Sequence, residues 1–73
     1  MDIFSQRFKE LKNEHHITYQ QIADVLGVKL RTVQYYASGH LKPDYYGLIE
    51  LSKFFDCSAD YLMGLTNNPK RNE

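Results

Sequence analysis

Apolar residues recur along this chain at intervals of three and four, not two. Phe4, Phe8 and Leu11, followed by Ile17, mark one face of a first helix over residues 2–14, with Arg7, Lys9, Glu10 and Lys12 on its other faces. The outward side from Arg7 to Glu14 reads as plain surface, and His15-His16 ends the helix. Thr18 opens a second helix. Its hydroxyl can cap the backbone while Gln21, three residues on, reaches back in the capping-box arrangement. Ile22, Val25 and Leu26 are expected to face inward, and Gly27 stops the helix because glycine takes the left-handed conformation cheaply. A third helix runs from Leu30 to Ala37 and ends at Gly39. Asp44 caps a fourth over 45–55 that buries Leu48, Leu51 and Phe55, with Tyr45 and Ile49 at its margins. Ser58 caps a fifth over 59–63, closed by Gly64, and the remaining "TNNPKRNE" has no apolar period. No stretch alternates as a strand would, so the pattern predicts an all-α fold, a compact bundle of five short helices. The helices make one domain over 1–65, with 66–73 as a flexible tail or linker.

The second and third helices are joined by four residues, Leu26-Gly27-Val28-Lys29, a length and composition that fit a helix-turn-helix. Ala23 is small where the helices cross, Gly27 makes the turn, and Val28, Val33 and Tyr36 fill the angle between them. Tyr36 is therefore expected in the core. Leu30, Arg31, Gln34 and Tyr35 are left facing outward.

Charge changes the picture once it is counted locally. The 73 residues carry nine basic and nine acidic side chains. Residues 29–42 hold Lys29, Arg31, Lys42 and His40 but no acid, so the motif is a positive stretch on an otherwise acidic body. The single cysteine, Cys57, cannot form an internal disulfide and suits a reducing cytoplasm, where the chain is expected. No apolar run approaches the length of a membrane span. Adjacent histidines point in different directions and no pair has zinc-ligand spacing, so no metal is expected. Asp56 and Asp60 read as a helix cap and a surface acid. With no nucleophile-plus-base pair and no phosphate loop, neither an enzyme nor a cofactor is expected.

From Phe4 to Leu65 the chain resembles the lambda-repressor/Cro-like, or XRE-type, helix-turn-helix regulators. The resemblance rests on "RFKELK", "TYQQIADVLGVKLRTVQYYASG", "LKPD" and "LIELSKFFDCSADYLMGL". It implies a sequence-specific binder of double-stranded DNA, often a repressor, whose second motif helix enters the major groove. It places base contacts on Leu30, Arg31 and Tyr35, with Lys29 and Gln34 beside them. Phosphate contacts fall on Tyr19, with Gln20 next to it, at the start of the motif's first helix, and on Ser38, His40 and Lys42 after its second helix; Lys29 is nearest a phosphate. The chemistry of the residues agrees. Arg31 can bind a guanine edge with two hydrogen bonds, Gln34 can read adenine, and Leu30 or Tyr35 can pack on a thymine methyl.

Three departures from the family stand out. Tyr19 replaces the usual glutamine. Lys29 replaces Ser, Thr or Asp and forgoes the helix cap. Ala37 replaces a glutamate that pairs with a helix-one cation, which leaves Lys12 to solvent. One recognition helix covers few base pairs, so a homodimer is expected, with Leu62, Met63 and Leu65 as its contacts, or a further carboxy-terminal domain or regulatory protein in that role. The rival expectation is a protein-interaction module, an antirepressor or antitoxin-like partner. Zero net charge and the apolar Leu30-Tyr35 pair favour it.

Overall fold

The computed structural model describes residues 2–70 and folds them into five helices: α1 (Ile3–Glu14), α2 (Tyr19–Leu26), α3 (Leu30–Ser38), α4 (Tyr45–Phe55) and α5 (Ala59–Met63). Four of them begin at a side chain that accepts from its own first turn. Asp2 takes the Ser5 N–H, Thr18 that of Gln21, Asp44 that of Gly47 and Ser58 that of Tyr61. The Gln21 side chain also accepts from the Thr18 N–H at 2.8 Å, which completes the expected capping box. Only α3 starts without a side-chain cap, because lysine at 29 has no acceptor to offer.

The helices close on a core of Phe4, Phe8, Leu11, Ile22, Ala23, Val33, Tyr36, Leu51, Phe55, Cys57 and Leu62. Phe8 is its hub. Its ring meets those of Phe4, Tyr19, Tyr36 and Phe55 at centroid distances between 5.5 and 6.3 Å. Tyr36 stands edge-on to both Phe4 and Phe8, a favourable arrangement of ring quadrupoles. That packing fixes α3 across α1 and leaves the rest of α3 outside.

Several side chains lie elsewhere than their spacing suggests. Val25, expected inward, is exposed because α2 crosses its neighbours on the Ile22–Ala23 side. Leu62, expected at a dimer contact, is fully buried: the single turn of α5 points it into the core and leaves Met63 and Leu65 outside. Arg7 is no plain surface residue. Its guanidinium lies 4.1 Å from the Tyr61 ring centre, and it donates to the Tyr61 and Thr66 carbonyls and to Asn67 Oδ1. The Ser58 N–H donates to the Pro69 carbonyl at 2.9 Å, so residues 66–70 bond back to the helices. The last three residues of the expected tail, 71–73, lie outside the described residues.

Candidate nucleic-acid interface

Helix α3 takes its orientation from Val33, Tyr36 and Ala37, which recur every three or four residues and are buried. The same period puts Leu30, Arg31, Gln34, Tyr35 and Ser38 on the opposite, exposed face, with Lys29 at its head. Before it, Gly27 holds φ +68°, the left-handed conformation that lets α2 turn into α3 within four residues. Val28 packs partly buried against the core beneath the turn. The four outward residues expected to read bases thus share one surface. No acidic residue sits on α3, so nothing on that helix opposes an anion.

The carboxy-terminal end of α3 is held by a small network. The Ser38 hydroxyl donates to the Tyr35 carbonyl at 3.1 Å and lies 2.7 Å from His40 Nδ1. The serine hydroxyl thus links the Tyr35 carbonyl to the His40 ring. The Tyr35 and His40 rings approach to 5.8 Å. Three of the expected contacts are therefore one connected unit.

Lys42 lies in the loop between α3 and α4, exposed, with its ammonium 3.0 Å from Asp2 Oδ2. Asp2 caps α1, so this ion pair fastens the start of the chain to the exit of the motif. The Ser5 backbone N–H and then Lys42 hold the Asp2 carboxyl below the usual carboxylate range. A phosphate at Lys42 has to share the ammonium with Asp2.

At the amino end of α2, Gln20 is exposed and its amide donates to Asp24 at 3.0 Å, leaving its carbonyl oxygen unengaged by that bond. Tyr19 is half-buried, its ring parallel to that of Phe8 at 6.3 Å. Lys12, expected in solvent, instead lies over the Tyr19 ring at 4.6 Å. Sequence reasoning passed over both Lys12 and Arg7. A signal was present: Lys12 follows Phe8 by four, and Arg7 stands three after Phe4 and four before Leu11, so each borders the buried face.

The helix-turn-helix fold has relatives among known proteins. Residues 8–62 match the helix-turn-helix family. The chain is 35% identical over 68 residues to the uncharacterized HTH-type transcriptional regulator YqaE of Bacillus subtilis, covering 93% of this chain and 59% of that protein. It is 31% identical to the uncharacterized HTH-type transcriptional regulator YobD of the same organism, covering 92% and 60%. A crystal structure of a transcriptional regulator from Listeria innocua matches with a TM-score of 0.80 and 46% identity, over 84% of this chain and 57% of that one. The chain thus spans between 57% and 60% of the length of these relatives. Five helices, a glycine-turned motif and a match that runs from α1 into α5 agree: the chain belongs to the XRE-type helix-turn-helix family of transcriptional regulators.

Proposed function

We propose that this protein is a sequence-specific, double-stranded DNA-binding transcriptional regulator, a repressor that reads the major groove with α3 as a homodimer. The observation that carries the reading is the exposed, acid-free face of α3, on which Leu30, Arg31, Gln34 and Tyr35 stand together on a helix-turn-helix. Arg31 reads guanine, Gln34 adenine, and Leu30 or Tyr35 a thymine methyl. Tyr19, Gln20, Lys29, Ser38, His40 and Lys42 hold the phosphate backbone on either side and set the register. Two recognition helices on successive turns of one DNA face stand about 34 Å apart. The described residues extend over 30 × 23 × 23 Å and carry one such helix, so in this proposal a second copy supplies the other. Met63 and Leu65, exposed beside Ile3, are the dimer contacts in this proposal, without Leu62. The protein acts in the cytoplasm; among the described residues no helix is long and apolar enough to cross a membrane.

Selection of duplexes from random DNA tests the reading, with one enriched, near-palindromic motif expected. Arg31→Ala should relax preference at one base position, at a cost of about 1–3 kcal/mol on the preferred site. Lys42→Ala should instead weaken all sequences alike. Recovery of no motif at moderate salt would favour the protein-interaction module, which the exposed Leu30 and Tyr35 would equally suit.

A further inference from the structure

Lys12 stands outside the helix-turn-helix, yet the fold carries its charge to the edge of the motif. Its ammonium lies over the ring of Tyr19, the first residue of α2. That ring is no loose surface aromatic, because it stacks parallel on Phe8, which is completely buried. Phe8 and Lys12 are one turn apart on α1, so one helix supplies both the support beneath the tyrosine and the cation beside it. The first turn of α2 contains no acid, and Lys12 forms no ion pair among the described residues. A tyrosine face attracts an ammonium without neutralising it. The result is a positioned, unneutralised charge next to a residue already assigned to the DNA backbone.

We propose that Lys12 is a phosphate-binding residue, held by the Tyr19 ring so that α1 adds its own contact to the DNA backbone beside α2. The inference rests on the DNA-binding reading above. In this arrangement Tyr19 has two functions, presenting its hydroxyl and steering the lysine. Ala37 leaves the buried side of α3 without a carboxylate to compete for that charge.

The test compares wild type, Lys12→Met and Lys12→Arg on the selected operator and on a shuffled duplex, across a salt series. Methionine keeps an apolar stem that can still pack on the ring. Each lost phosphate contact lowers the slope of log affinity against log salt by about 0.9, so a two-fold complex loses roughly two. The advantage of wild type over Lys12→Met should therefore shrink about tenfold as salt rises from about 50 to about 200 mM. The variant should weaken operator and shuffled DNA by the same factor, and Lys12→Arg should restore the slope. Tyr19→Leu, which removes the platform, should make the further change to Lys12→Met much smaller than it is beside tyrosine. A wild-type slope in Lys12→Met, whatever its affinity, would mark the residue as packing only and overturn the proposal. Failure of the wild type itself to bind any duplex at low salt would instead remove the DNA-binding reading, and the proposal with it.

Discussion

Lys29 sits where a helix gains most from a small acceptor and offers it a cation. The other four helices each have a capping side chain, so α3 is the exception within one molecule. Its first turn is held by backbone bonds alone, with the Thr32 N–H on the Lys29 carbonyl at 3.0 Å. Lys29→Ser should add the missing cap and stabilise the domain by about 1 kcal/mol. In a chain of this size that raises the melting temperature by about 4–8 °C. The same change should weaken duplex binding without altering base preference, which a salt-titrated binding assay reads directly. Unchanged affinity would make Lys29 ordinary surface. At this scale, roles fixed by sequence neighbours were legible in the sequence. Tyr35 and Tyr36 separate by helical period alone, one exposed and one in the core. Leu62 did not separate, because a helix of five residues is too short for a period to choose its face.

Helix boundaries were legible for the same reason: caps and left-handed glycines act within three or four residues. What the sequence hid were the ties between helices distant along the chain. Arg7 bonds to residues 54 to 60 positions away, and no local pattern marks such a partner. Through it, α1 holds both the end of α5 and the segment that follows. Arg7→Ala should remove three hydrogen bonds from a charged donor and the ring contact with Tyr61, destabilising the fold by at least the about 1.5–3 kcal/mol typical of one such bond. Amide exchange should accelerate first in α5 and residues 65–70, while α2 and α3 keep their protection until global unfolding. Uniform acceleration along the chain would show that Arg7 serves the whole core instead of this one junction. The Asp2–Lys42 pair is a second such tie, and it explains why the candidate site was only partly readable. The outward face of α3 follows from period, but the setting of Lys42 depends on a residue forty positions earlier.

Over the whole molecule, a net charge of zero conceals an uneven arrangement, and the apolar surface is uneven as well. Ile3, Met63 and Leu65 are exposed near one another at the junction of α1 and α5, where Ile3 packs against Gly64. Under the homodimer proposal, Met63→Glu should leave the monomer's melting temperature within a few degrees of wild type, yet weaken operator binding and dimer formation in analytical ultracentrifugation. Leu62→Ala should do the opposite, unfolding the domain by about 2–5 kcal/mol through a core cavity. Equal dimer populations in Met63→Glu and wild type would place the interface elsewhere. The buried Tyr36 has another consequence, visible by light. The chain has six tyrosines and no tryptophan, so its near-ultraviolet absorbance is dominated by phenols. Burial, and secondarily the Asp44 carboxylate, raise the Tyr36 phenol above the ordinary tyrosine range. Folding therefore favours the neutral ring. The stability this contributes is complete below the unfolded value, near pH 10, and is lost as pH climbs through the folded value. In an alkaline titration, one tyrosinate absorbance step should arrive together with the loss of helical circular dichroism. The phenol that locks α3 to the core would then serve as the protein's built-in optical indicator of unfolding.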